Sequence, residues 1–211
     1  MRQFVPVFSI AAALLATSLG LASSADAQSR TFRIRNDGGS RIQFISDAPL
    51  ETITGVSSHV TGSITVDPGN VSATRGTTRV RVASIRTGVD LRDEHLRSPN
   101  WLNAGRWPDA TFEITGVSGA SSLTPNQVAR VRITGRFMIH GVTHDVTANA
   151  RVRYIPLTDE MRANHIDGDV IRAQASFRLR LTDFNISVPL PVRLKVANEI
   201  RVNVTIRAIA E

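Results

Sequence analysis

Asp93, Glu94 and His95 are consecutive, and two carboxylates beside an imidazole are the side-chain types that serve as general acid and base. Residues 90–103 are charged, carry Leu91, His95 and Leu102 near helical spacing, and are interrupted by Pro99, which predicts two short helical turns. Helical neighbours one residue apart do not face each other, so the trio reads as a solvated turn with His95 capping or bridging it. His140 and His144 stand four apart, the spacing of a metal pair on a helix. Here they flank His140-Gly141-Val142-Thr143, a hairpin-turn signal, and read as turn residues. His59 falls on the polar face of its strand and His165 in a long connection. No Gly-x-Ser-x-Gly elbow, phosphate loop or dinucleotide fingerprint is present. Zero cysteines exclude disulfides, thiolate metal sites and a cysteine nucleophile. No cofactor and no metal are expected, and a binding role is favoured over catalysis. The alternative is an exported enzyme that acts on a hydrophobic substrate through Asp93, Glu94 and His95.

The elements that would position these groups are strands. Over residues 194–208, Leu194, Val196, Ile200, Val202, Val204, Ile206 and Ala208 alternate with Arg193, Lys195, Glu199, Arg201, Asn203, Thr205 and Arg207. Successive strand residues point to opposite faces, so this stretch predicts one dry and one wet face. It is far longer than the usual strand of about 5–6 residues, and strands of such length suit a sheet that curls and closes. Further strands are read at residues 31–35, 41–46, 52–66, 78–87, 110–117, 127–139, 145–155 and 169–181, with Asp67-Pro68-Gly69-Asn70 as a strong turn. About eight strands and one short helical excursion are the pattern of a single all-β antiparallel barrel. The polar connection at residues 156–168 reads as a mobile loop.

Residues 1–27 read as a cleaved export signal: Arg2 precedes an apolar run over 7–22, and Ala25-Asp26-Ala27 is a small-x-small site. The domain then spans 28–211. Export without cysteine suits a bacterial periplasm. The net charge of +7 invites a nucleic-acid reading, yet the arginines alternate with apolar residues and aromatics are only 5%, so no nucleic-acid partner is expected. The same scarcity of aromatics argues against an outer-membrane barrel, which carries aromatic girdles.

Three segments carry a resemblance. Arg92-Asp93-Glu94-His95-Leu96-Arg97-Ser98 is followed by Trp101-Leu102-Asn103 and Arg106-Trp107-Pro108-Asp109-Ala110-Thr111-Phe112; then come Ile139-His140-Gly141-Val142-Thr143 and Asp183-Phe184-Asn185. In this order they resemble the YceI-like family. Trp101 and Trp107 replace the commoner Phe and Tyr, Asp145 stands where Pro is frequent, and Asn185 where Gly is frequent. Asn tolerates a left-handed backbone better than most residues. The resemblance implies a periplasmic, lipocalin-like extended barrel that holds a long isoprenoid or quinone-like lipid. It also implies transport, transient contact with a membrane surface, and a homodimer as the favoured oligomer.

Alternation selects Phe44, Val80, Val82, Phe112, Ile114, Ile133, Phe137, Phe177 and Leu179 as the lumen-facing set. Trp101, Leu102 and Phe184 are candidates for a lid or mouth, and Arg86, Arg92 and His95 for a polar head group. Ala148, Ala150, Ala173, Ala175, Gly62 and Gly135 are small enough to leave room for a ligand. The rival arrangement is a solid core, in which those small residues pack against Phe44, Phe112, Phe137 and Phe177.

Overall fold

The computed structural model describes residues 29–211. The expected export signal lies outside them. Ten strands occur in chain order: β1 (Arg30–Ile34), β2 (Arg41–Asp47), β3 (Thr52–Ser57), β4 (Val60–Val66), β5 (Arg75–Arg81), β6 (Asp109–Ser118), β7 (Val128–Ile139), β8 (Val142–Ile155), β9 (Val170–Arg180) and β10 (Glu199–Ala210). They form eight staves, because two staves are each broken in the middle. β1 and β2 are separated by a turn at Asp37-Gly38-Gly39, where the Gly39 N–H donates to Asp37 Oδ1. Ser58 and His59 separate β3 from β4. The broken staves lie side by side, β1 against β4 (Phe32 opposite Ile64) and β2 against β3 (Phe44 opposite Gly55). From β4 the sheet runs through β5, β6, β7, β8 and β9 to β10, every pairing antiparallel. β10 then closes the ring, meeting β2 through Ile200–Thr205 and β1 through Ile209 and Ala210. The protein is a closed eight-stave antiparallel barrel.

The closed ring follows from alternation. On β9, Ala173, Ala175, Phe177 and Leu179 face the lumen, whereas Arg172, Gln174, Ser176, Arg178 and Arg180 are exposed outside. The arginine-rich exterior expected from the sequence is thus the wet side of a barrel wall. At the β7–β8 turn His140 and Gly141 both have positive φ (54° and 75°), the conformation a two-residue primed hairpin demands. Gly141 also lets the Trp107 ring approach: a Cβ there would lie 2.4 Å from Trp107 Cζ2.

Two strands are shorter than the alternation predicts. The last begins at Glu199, not at 194, because Leu190–Val192 forms a 3-10 turn started by Pro189 and containing Pro191, and Leu194 points to solvent. The strand read over 78–87 ends at Arg81, and Val82–Ser84 is a 3-10 turn held by the Ser84 hydroxyl donating to Arg81 O at 2.6 Å. The helical excursion is present as α1 (Asp90–Arg97), followed by turns through Pro99. Within the 156–168 connection lies a short helix, α2 (Asp159–Ala163), capped by Thr158, whose hydroxyl accepts from the Met161 N–H.

Buried apolar residues form two clusters. One, around Phe32, Ile34, Val66, Val117, Val131 and Ile171, fills the end of the barrel near β1 and the close of β10. The other, around Leu102, Phe177, Leu181, Phe184 and Ile186, lies toward α1 and the β9–β10 connection.

Candidate ligand cavity

Between the two clusters the barrel is not filled. A cavity of about 570 Å³ runs along the lumen, within the range of small-molecule sites. Its inner end is formed by Ile64, Ile114, Ile133 and Ile206, which pack onto the first cluster. Its outer end is bordered by exposed residues: Val89, Leu91 and His95 of the α1 region, with Pro189 and Lys195 from the β9–β10 connection. The cavity is therefore blind at the end near β1 and opens beside α1.

Most of the residues selected by strand alternation border the cavity. Phe44, Val80, Phe112, Ile114, Ile133, Phe137, Phe177 and Leu179 all border the cavity, and Trp101 and Leu102 border it on the α1 side. Val82 does not. The 3-10 turn that begins at Val82 breaks the alternation in phase with Val80, and its side chain, 1% exposed, is packed in the second cluster. Phe184 is not in the wall either: it is buried behind it, edge-on to Phe137 at a centroid distance of 5.6 Å. Arg86 lies outside the wall as well, its guanidinium donating to the carbonyls of Ala83 and Ile85.

The small residues divide in the same way. Ala148, Ala173 and Ala175 border the cavity; Ala150 is packed in the first cluster. The space at Gly135 is taken by protein, since a Cβ there would meet Phe112 Cζ at 2.4 Å. Gly62 gives way to the next strand, where an added Cβ would lie 2.1 Å from Thr77 O.

Part of the wall comes from the β9–β10 connection, which alternation did not reach. Leu181, Ile186 and Val192 border the cavity there. Their sequence signal is the Asp183-Phe184-Asn185 turn and the paired prolines at 189 and 191, which mark an inward-folded connection rather than a strand. Asn185 adopts the left-handed conformation (φ 56°, ψ 29°), which Asn tolerates better than most residues.

Polar groups gather at the mouth. Arg92 Nη1 donates to Glu51 Oε1 at 2.6 Å, its Nε to Thr87 Oγ1 at 2.9 Å and its Nη2 to Thr87 O at 3.1 Å. Asp93 is 2% exposed and accepts from both the N–H and the hydroxyl of Thr87. Glu94 points to solvent and does not border the cavity, while His95 does. The three consecutive groups are splayed in three directions, and Asp93 fastens α1 to the preceding loop. His140 Nδ1 lies 3.1 Å from Phe184 O and His144 Nε2 lies 2.8 Å from Asp183 O; carbonyls only accept, so both imidazoles donate. They clip the β7–β8 hairpin to the 183–184 segment. Among the described residues no group of three or more His, Asp or Glu is placed to hold a metal.

The family model of the YceI-like domain matches residues 34–208, which includes nearly every strand of this barrel. The chain belongs to the YceI-like domain family. It is 33% identical over 129 residues to a UPF0312 protein of Enterobacter sp. (strain 638), covering 61% of this chain and 60% of that protein. It is 31% identical over 129 residues to Protein YceI of Escherichia coli O6:H1, covering 61% of each. These matches span about three fifths of the length of the curated relatives. The YceI-like fold also matches solved structures: Burkholderia cenocepacia BcnA (TM-score 0.65, 16% identity, 82% of this chain and 98% of that one). A polyisoprenoid binding domain from Saccharophagus degradans matches with TM-score 0.64 and 13% identity, over 87% of this chain and 100% of that one. At these identities the likeness is one of fold.

Proposed function

We propose that this protein is a carrier or store that takes up the apolar chain of an isoprenoid or similar amphiphile, tail first, and acts without catalysis. The supporting observation is the polarity of the cavity along its length: isoleucines at the blind end, aromatic and aliphatic walls, and charged groups only at the mouth. In this reading Phe44, Phe112, Phe137 and Phe177 contact the chain, and Arg92, His95 and Lys195 meet the head group. The description of the Saccharophagus degradans neighbour as polyisoprenoid-binding agrees with it.

The energetics suit a carrier. Each buried methylene contributes ~0.8 kcal/mol relative to water. A bilayer offers the same hydrocarbon surroundings, so the preference for protein over membrane is small and release is easy. The splayed Asp93, Glu94 and His95 do not converge on one point, and binding is preferred over the enzyme alternative. Residues 1–27 supply the export signal, and the carrier works in the periplasm from a new terminus at Gln28.

Native mass spectrometry of protein purified from the periplasmic fraction tests the whole reading. The expected result is a chain beginning at Gln28 with one apolar lipid bound, released by organic extraction. Protein with no bound lipid, from cells rich in such lipids, would remove the carrier reading. A retained Met1 would remove the localisation.

A further inference from the structure

The exposed apolar side chains of this barrel are not scattered. Single exposed leucines are ordinary, but a contiguous apolar patch marks an interaction surface. Of the six large hydrophobic residues exposed among the described residues, Val89 and Leu91 border the cavity, Leu50, Leu190 and Leu194 adjoin the mouth residues Glu51, Pro189 and Lys195, and Val128 lies elsewhere. Leu190 is 75% exposed and Leu50 67%. Leu50 and Leu194 belong to one edge, the Leu50 N–H donating to Leu194 O at 2.8 Å. Val89 and Leu91 also border the cavity, so the apolar lining continues outward onto this rim.

The wall beneath Leu190 and Leu194 is basic. Arg178 of β9 stands directly opposite Arg201 of β10, a like-charge pairing that is unfavourable within a sheet. Glu199 neutralises Arg178 at 2.7 Å. Arg180, Arg193, Lys195 and Arg201 have no carboxylate partner among the described residues. Asp90 and Glu94 lie on the α1 side, so the unpaired cations border the rim on its β9–β10 side, where apolar and basic groups together have the composition of a surface that enters the boundary between head groups and acyl chains.

We infer that the mouth docks onto a bilayer with anionic head groups, with Leu50, Leu190 and Leu194 entering the acyl boundary and Arg180, Arg193, Lys195 and Arg201 facing the phosphates. The cavity then opens toward the hydrocarbon, and a lipid tail passes between membrane and lumen without crossing water. The inference rests on the carrier reading for its purpose, although docking is measured separately from cavity content.

Cosedimentation of the purified protein with vesicles tests it, using phosphatidylcholine alone and phosphatidylcholine with one-third phosphatidylglycerol. Binding is expected to the phosphatidylglycerol vesicles and to weaken as salt rises. Leu190→Ser with Leu194→Ser is expected to lower the affinity by roughly tenfold or more. Arg180→Gln and Arg201→Gln each lower it roughly fivefold. These side chains are exposed, so the melting temperature stays unchanged, and Val128→Ser, away from the rim, leaves binding intact. Absence of binding to both vesicles, or binding indifferent to the leucine pair, overturns the inference. Equal binding to both vesicle types overturns the role given to the arginines. A leucine-dependent dimer that ignores vesicles assigns the rim to a second copy of the chain and overturns the inference too. A lipid-filled protein that ignores vesicles sinks the docking surface and leaves the carrier standing; an empty protein that binds them does the reverse.

Discussion

Tyr154 donates its hydroxyl proton to the buried carboxylate of Asp169 across 2.5 Å, at the blind end of the barrel. The same carboxylate accepts from Arg30 Nη1 at 2.6 Å and from the Leu157 N–H at 2.8 Å. One side chain thus ties together β1, β8 and the connection that follows β8.

Burial, then the hydrogen bond to Asp169 and its charge, push the Tyr154 hydroxyl from 10.0 up to about 12, with Arg30 opposing. A group whose pKa is raised on folding stabilises the fold fully below its unfolded value and loses that contribution as pH rises through its folded value. Stability is therefore expected to fall between about pH 10 and pH 12. Tyr154 is the only tyrosine, so ultraviolet absorbance reads its titration directly. A midpoint near 10 in the folded protein would refute the coupling. Urea unfolding of Tyr154→Phe should show that this part of the alkaline loss has gone.

Asp93→Ala is expected to destabilise the protein by about 1–3 kcal/mol, because it leaves the half-buried Thr87 N–H and hydroxyl without their acceptor. Glu94→Ala, at an exposed position, should stay within about 0.5 kcal/mol. Denaturant midpoints of the two variants make the comparison. Equal effects would mean that Asp93 does not anchor α1.

Ala150 and Ala175 are cross-strand partners on β8 and β9, yet only Ala175 borders the cavity. Ala175→Trp is expected to keep its delipidated melting temperature and lose copurifying lipid. Ala150→Trp, directed into packed side chains, should cost about 1–3 kcal/mol from overpacking. Thermal melts and lipid extraction of both variants check the pair. Matching destabilisation would show that the lumen at Ala175 is already full.

The barrel was legible because alternation survives wherever a strand is paired on both sides, as at Ile133–Phe137 of β7 and Val202–Val204 of β10. It misled where a turn kept the alternating letters but not the extended backbone. Val82 follows Val80 in the pattern and Leu194 precedes Val196, yet both lie in turns. At the mouth, Arg92, His95, Trp101 and Leu102 stood out in the sequence, but the apolar rim did not, since it depends on which connections meet at one end of the closed ring. Leu50 and Leu194 are 144 residues apart in sequence and meet only through that closure. Asp93 could be singled out by its motif, but its burial and its bond to Thr87 are products of how α1 seats on the barrel rim.

The last of the ten strands, β10, is the partner of β9, β2 and β1 together. Until it has left the ribosome, the first stave, β1 with β2, has no neighbour on its β10 side and the lumen has no closed wall. Ring closure therefore waits for β10 and is governed by contacts between residues such as Phe32 and Ala210, far apart in the sequence. Long-range closure of this kind is slow compared with local pairing. The polypeptide therefore stays unclosed, and hence threadable, for as long as β10 is missing.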